Sequence, residues 1–467
     1  MLSLTNILLI LLSAGVVHLG YRYVRSYVEA ERIRKLEKTE EPPRDPNSGI
    51  FGINFYRDMA KHKRERVFLE KSLERYEQLG DTHVADMFGR TYLDTRDPEN
   101  IKAILSTQFE QFSLGMDRAH AITPMLGEGI FTHVYGGGPE GEPWRHSRAV
   151  LRPQFVRQQI QDLGKLEGYE VLCRDLHIQN LLRNIGNAEI CILRILLGNL
   201  YFLQKDSREF KRISQFVQTY IDSFTQRALR LHAAGKPTSF DAGGSYVFLE
   251  EISKSIKDPV RLRSELLNIL LAGRDTTASL LAICFHQLAR HKDVWNKLRK
   301  EIMDNIGNRL PTYEDIKSLK YLQYVLNETL RLYPVVPWNG REAVVTTTLP
   351  RGGGPDGKSK ILVKKGTFVI YATWSLHRSK FYGEDANEFR PSRWETLRPG
   401  WNYIPFNGGP RICLGQQYAL IEASYVVIRL LQTFKDIENR DPILPFIEYT
   451  TLTLSSATGT KVALTPA

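Results

Sequence analysis

Near the C-terminus the run Phe406-Asn407-Gly408-Gly409-Pro410-Arg411-Ile412-Cys413-Leu414-Gly415 sets a lone cysteine among an aromatic, an arginine and three glycines. The chain's four cysteines, Cys173, Cys191, Cys284 and Cys413, are far apart and form no C-x-x-C pair, so neither a zinc cage nor a disulfide framework is suggested. Backbone freedom at Gly408, Gly409 and Gly415 would let the loop curl round the sulfur and turn amide hydrogens towards it. From Gln416 to Phe434 the apolar positions Ala419, Leu420, Ala423, Val426, Val427, Leu430 and Leu431 follow helical spacing, and the positive end of such a helix favours an adjacent thiolate. This frame suits a thiolate on haem iron, with Arg411 forked onto a propionate and Phe406 packed beside the ring. One more buried free cysteine, the usual fate of this residue, would not need so specified a neighbourhood.

A second segment fits the same chemistry. Glu265 to Arg290 predicts a long helix whose centre, Ala272-Gly273-Arg274-Asp275-Thr276-Thr277, is rich in poor helix formers. Thr276 is expected to divert its hydroxyl to the carbonyl one turn back, opening the backbone ladder and leaving room for oxygen and water. Asp275 beside it can relay the protons that O–O cleavage consumes. The alternative is a kinked core helix with Asp275 solvated. Further on, Glu328 and Arg331 lie three apart on one helix face, and the neighbours Val325, Leu326, Leu330 and Leu332 predict a buried pair.

Leu2 to Tyr21 carries no formal charge, has about the length of a bilayer-spanning helix, and is followed by Arg22, Arg25, Arg32, Arg34 and Lys35. Residues 1–24 therefore read as a single anchor with the bulk of the protein cytoplasmic, 25–50 as a basic, proline-stiffened linker, and 51–467 as the catalytic domain. A cleaved signal peptide is disfavoured, since no Lys or Arg precedes the apolar run. The net charge of +11 does not imply nucleic acid, because basic residues are interspersed with acids and no nucleic-acid-binding motif accompanies them. Anionic headgroups or an acidic protein partner suit that charge better. Gly352 to Ser359 satisfies the P-loop pattern of nucleotide-binding proteins, yet the following Ile361 to Tyr371 reads as strands joined by a turn at Gly366, where a P-loop requires a helix, so Arg351 to Ser359 is expected to be a loop in a small β region.

Together these residues resemble the cytochrome P-450 superfamily. The cysteine run matches F-x-x-G-x-R-x-C-x-G, Ala272 to Thr277 matches A-G-x-[DE]-T-[TS], and Glu328 and Arg331 match E-x-x-R, joined by Arg393 in an F-x-P-x-R-W-like segment (Phe389, Pro391, Arg393, Trp394). The resemblance implies a mainly α fold with a small β region behind one transmembrane helix, and haem b with Cys413 as the metal ligand. It makes Trp144, Arg148, Arg341, Phe406, Arg411 and Gly415 cofactor-binding, Asp275 and Thr276 catalytic, and Glu328, Arg331 and Arg393 structural. Asp94 to Lys102, Ser147 to Phe155, Leu270 to Thr277 and Leu349 to Gly354 are similar to the fungal alkane- and fatty-acid-hydroxylating branch. That branch implies terminal hydroxylation of n-alkanes or long-chain fatty acids at the endoplasmic reticulum membrane, with electrons from NADPH through a flavoprotein reductase. Apolar segments, Phe112 to Phe131, Ile269 to Ala272, Val335 to Trp338 and Leu452 to Ser456, are expected to line the pocket. Two departures stand out: a longer glycine-rich turn, His133 to Glu142, and a loss of several dozen residues between Leu181 and Tyr201. The second leaves a haem-binding but inactive relative as the alternative reading.

Overall fold

The computed structural model describes residues 4–49, 52–137, 139–156, 163, 208–233 and 248–467. The shortening expected between Leu181 and Tyr201 lies outside these residues. The principal helices are, in chain order, α1 (Leu4–Glu37), α2 (Ile53–Glu65), α3 (Met116–Leu126), α4 (Glu142–Leu151), α5 (Arg208–Ala233), α6 (Pro259–Leu288), α7 (Lys292–Asn305), α8 (Lys320–Leu332) and α9 (Gln416–Thr433).

Eleven short strands lie among the described residues: β1 (Thr82–Met87), β2 (Arg90–Thr95), β3 (Phe112–Ser113), β4 (Asn339–Ala343), β5 (Thr347–Gly353), β6 (Ser359–Val363), β7 (Phe368–Tyr371), β8 (Phe434–Asn439), β9 (Glu448–Thr450), β10 (Leu454–Ser456) and β11 (Val462–Pro466). Five of them form one sheet in the order β1-β2-β7-β4-β3. Its one parallel pairing, Tyr92 with Phe368 through Thr95 with Tyr371, joins distant parts of the chain. The others form the two-stranded ribbons β5–β6, β8–β11 and β9–β10.

The longest core helix, α6, begins earlier than its apolar pattern suggests. Asp258 accepts from the amides of Val260 and Arg261 at 3.3 and 3.1 Å, and Pro259 follows in the first turn, where its missing amide costs nothing. Around the C-terminal half of α6 pack α7, α8 and α9, with Cys284, Leu288, Trp295, Leu298, Val325 and Val427 almost fully buried. Each such side chain contributes about 1.5–3 kcal/mol on leaving water. Although α6 has the length and apolarity of a membrane span, its C-terminal part, Leu280 to Leu288, is packed among these helices.

Behind this core the expected Glu328–Arg331 pair is a hub with no solvent exposure. Both carboxylate oxygens take Arg331 nitrogens at 2.8 Å, while Arg393 Nε, Trp394 Nε1 and the Arg390 amide donate to the same carboxylate at 2.8, 3.0 and 2.9 Å. Arg331 also donates to the carbonyls of His377, Ala386 and Glu388, which binds α8 to the segment leading into the cysteine loop.

Three expectations need correction. The chain over 25–50 is not all linker: α1 continues to Glu37, because Glu29 to Glu37 is built of good helix formers, and only then turns off at Lys38, whose φ is +51°. In addition, α6 is helical without interruption across Ala272 to Thr277. The glycine-rich lookalike is a β hairpin rather than a loop, with Gly352 and Gly353 still inside β5; as expected, no helix follows it.

Glu328→Ala leaves two buried guanidinium groups without their carboxylate and should cost about 3–5 kcal/mol. Urea titration followed by far-ultraviolet circular dichroism measures this, and a stability within 0.5 kcal/mol of the parent would refute the hub role.

Candidate active site

The cysteine loop is closed by its own backbone, the Cys413 amide donating to the Phe406 carbonyl at 3.0 Å. Asn407 and Gly409 take left-handed conformations, φ +65° and +64°. Gly409 is also pressed against the Leu105 carbonyl, so any side chain there would collide with backbone. Gly408 and Gly415, expected to need the same freedom, have ordinary angles of −149° and −87°. Gly408 is instead required by proximity, since a Cβ would lie 2.6 Å from the Trp401 ring. Gly415 serves through its amide, which hydrogen-bonds the Cys413 sulfur at the start of α9. Burial pushes the thiol up from its ordinary range, whereas this amide and the Arg148 charge pull it down. On its open side Cys413 borders a cavity of about 530 Å³ lined also by Arg148, Arg152, Phe155, Pro410 and Leu414.

Trp144 and Arg148 come from α4, Arg411 from the loop and Arg341 from β4. Trp144 is buried, with the Arg411 guanidinium 4.4 Å above its ring and that of Arg148 at 5.8 Å. Arg148 donates to the Ile412 carbonyl at 3.1 Å. Arg411 is held by the carbonyls of His133, Val134 and Tyr135 at 2.9, 3.2 and 2.7 Å, so the glycine-rich departure begins with the seat of this arginine. Arg341, 2% exposed, donates to the Gly340 carbonyl at 2.7 Å. A fourth arginine that sequence reasoning missed, Arg118 on α3, shares Asn339 Oδ1 with Arg341. Its signal was a lone arginine inside a largely apolar stretch, Phe112 to Phe131.

Burial and the mutual repulsion of these charges lower Arg411 to about 8, with Arg341, Arg118 and Arg148 contributing in that order, and burial with Arg341 lowers Arg118 to about 10. Among the described residues no carboxylate offsets either one. Guanidinium groups gathered in this way cost free energy until a polyanion joins them. A haem brings two propionates and an iron that accepts a thiolate, so the donor set fits it.

On α6 the Thr276 hydroxyl donates to the Ala272 carbonyl at 2.6 Å, the diverted bond expected of it. Gly273 faces open space. Asp275 is half-buried and paired with Arg274 at 2.9 Å; burial raises its carboxyl and Arg274 opposes the shift. Thr277 is buried and hydrogen-bonds Glu422 of α9, a second group the sequence did not flag, whose carboxyl burial pushes up to about 7. Of the apolar segments, Val335 and Leu454 meet directly, the Leu454 amide donating to the Val335 carbonyl at 2.9 Å, and Ser279 of α6 donates to the Leu454 carbonyl. Ile122, Met125 and Phe131 pack with Leu270 and Leu271 beneath α5.

A thiol at the head of α9 with Arg148 on the same cavity wall, and Arg411 stacked over Trp144 close by, is a donor set of the haem-thiolate class. The sequence matches the Cytochrome P450 family over residues 170–458. Cytochrome P450 monooxygenase himC of Aspergillus japonicus is 40% identical over 460 residues, covering 89% of this chain and 81% of that protein. Cytochrome P450 52A12 of Debaryomyces hansenii is 37% identical over 510 residues, 96% of each chain, and Cytochrome P450 52A10 of Candida maltosa 39% over 483, covering 89% and 91%. The chain belongs to the cytochrome P450 family, and its activity is that of a monooxygenase. The match to the Debaryomyces protein extends over more positions than the 467 residues present here, so several dozen of that protein's residues have no counterpart in this chain.

Gly409→Val should abolish haem retention, read as the absorbance ratio of Soret band to protein; a normal ratio would show that the loop tolerates a Cβ. Glu422 is raised in the folded chain, so its contribution to stability is complete below the ordinary carboxylate range and is lost as the pH rises through about 7. Thermal unfolding between pH 5 and 8 should therefore weaken with pH in the parent and less in Glu422→Gln, and parallel curves would contradict this.

Proposed function

We propose that the chain hydroxylates the terminal methyl of an n-alkane or a long-chain fatty acid, using O2 and electrons passed from NADPH by a membrane-bound flavoprotein reductase. The balance is one substrate C–H bond converted to C–OH, with the second oxygen atom leaving as water at the cost of two electrons and two protons. The observation that carries the reading is Cys413 on one cavity wall with Arg148, together with Arg411, whose charge is crowded by Arg341, Arg118 and Arg148 and offset by no carboxylate among the described residues. Its substrate class rests on the identity with the 52A proteins and on the apolar cluster that Ile122, Met125 and Phe131 form with Leu270 and Leu271.

Haem, when bound, supplies the one-electron and oxygen chemistry. Cys413 would give its thiolate to the iron; burial raises the thiol, and the Gly415 amide at the helix end of α9 opposes that shift and favours the anion. Arg411, Arg341, Arg118 and Arg148, with Trp144, would hold the haem propionates. Asp275, close to solvent, takes up protons and Thr276 holds one at its hydroxyl oxygen, which is already oriented by the Ala272 carbonyl. Residues 1–24 span the endoplasmic reticulum membrane once, with the catalytic body on the cytoplasmic side.

The second reading is a haem-binding relative without turnover, favoured by the residues this chain lacks relative to its Debaryomyces counterpart. The reduced carbon-monoxide spectrum should show a thiolate-type Soret band that disappears in Cys413→Ala. Labelled dodecane and lauric acid, incubated with reductase and NADPH, then separate the two readings: hydroxylated product supports the first, and a normal spectrum with no product supports the second. Thr276→Ala should divert reducing equivalents to hydrogen peroxide, raising peroxide per NADPH severalfold; unchanged coupling would refute its proton role.

A further inference from the structure

The glycine-rich hairpin that imitates a P-loop has no part in the chemistry described above, and its Lys358 is largely solvated. Its surroundings point elsewhere. Gly353 lies so close to the segment after α1 that a Cβ would stand 2.7 Å from the Glu40 carbonyl oxygen and 2.9 Å from that of Lys360. The Glu40 amide donates to the Lys360 carbonyl at 2.9 Å, and the Gly354 amide to the Glu41 carbonyl at 3.3 Å. Gly354, at φ +75°, has the Glu40 carboxylate against it. Lys360 also pairs with Glu37 at 2.6 Å, and Arg34 pairs with Glu41. Beyond this point the chain stays fastened: the Val84 amide donates to Pro43, the Asp45 amide to Val84, and Asp45 pairs with Arg75 at 2.9 Å. The hairpin is itself rigid, because fully buried Asn100 exchanges two hydrogen bonds with the Arg351 backbone, at 2.9 and 3.0 Å.

The foot of α1 is thus stitched to the catalytic body over a dozen residues. Ala30 is buried, whereas Tyr21 to Glu29 stand exposed. From Tyr21 to Glu37 the helix is unbroken and spans about 24 Å, so the body cannot drift from the bilayer as it would on a flexible linker. Tyr21, Tyr23 and Tyr27 interleaved with Arg22 and Arg25 suit the headgroup layer. Near the fastened segment, α2 exposes Arg57, Lys61 and Arg64.

We propose that the Gly352–Gly354 hairpin is a socket for the foot of the N-terminal helix, fixing the catalytic body in one pose on an anionic lipid surface. The proposal rests on reading residues 1–24 as a membrane anchor. The haem-loaded full chain provides two readouts. In detergent, trypsin should release the body at Lys38 and Arg44 on the order of tenfold faster in Gly353→Val than in the parent, because cleavage there requires the strap to open. In aligned phosphatidylcholine–phosphatidylserine bilayers, linear dichroism of the Soret band should report one haem tilt for the parent and an averaged, weaker signal for the variant. Should Gly353→Val lose haem, Glu37→Gln and Lys360→Gln decide: each alone should accelerate release and the double variant should add little to either. Release rates and dichroism unchanged from the parent in haem-loaded Gly353→Val, or in both single charge variants, overturn the socket. Failure of the parent to co-float with vesicles overturns the anchor, and with it the fixed pose, independently of the trypsin result in detergent.

Discussion

The carboxylate of Glu328 holds together parts of the chain that would otherwise be independent. It has no access to water, and its charge is balanced by Arg331 on its own helix and Arg393 from sixty-odd residues later. Because a lone buried carboxylate is expensive, neither α8 nor the 377–394 segment can adopt its final position without the other. Arg331 extends the constraint by collecting three carbonyls from that segment, and His377, whose Nε2 takes the Ile404 amide at 3.0 Å, carries it on towards the cysteine loop. Burial keeps His377 neutral, lowering it to about 3, which suits a ring that must accept that amide at any physiological pH. Placement of Cys413 is therefore decided well behind the cavity it faces.

Much of the site was legible because its chemistry is local. The Cys413 run, the Asp275–Thr276 pair and the Glu328–Arg331 spacing each place their residues within one loop or one helical turn, where sequence distance and spatial distance agree. Arg118 and Glu422 were not legible for the opposite reason. Arg118 joins the arginine cluster only when β4 brings Asn339 and Arg341 beside α3, and Glu422 meets Thr277 only when α9 packs on α6. The glycines show the same limit in a finer form. All three beside Cys413 look interchangeable in the sequence, yet Gly409 is used for its dihedral angle, Gly408 for closeness to Trp401 and Gly415 for its amide.

The N-terminal region was legible in composition but not in mechanics. A run of charged residues followed by prolines reads as a linker, but Glu and Arg are also good helix formers, and nothing in residues 25–50 alone reveals that a hairpin three hundred residues away will receive them. The same hairpin matched a phosphate-binding pattern letter for letter. What its glycines allow in both settings is the same, close approach of another group to bare backbone; here the visitor is the protein's own chain.

The parallel pairing of β2 with β7 has a consequence for how such a chain is made. Thr95 must wait for Tyr371, and at about 5–20 residues per second the delay during synthesis is on the order of tens of seconds. Throughout that interval the β1–β2 ribbon has one edge unpaired, the kind of edge that recruits strands from other molecules. Synthesis therefore imposes a period of exposure that no property of the finished sheet reveals, and its length is set by the chain between the two strands.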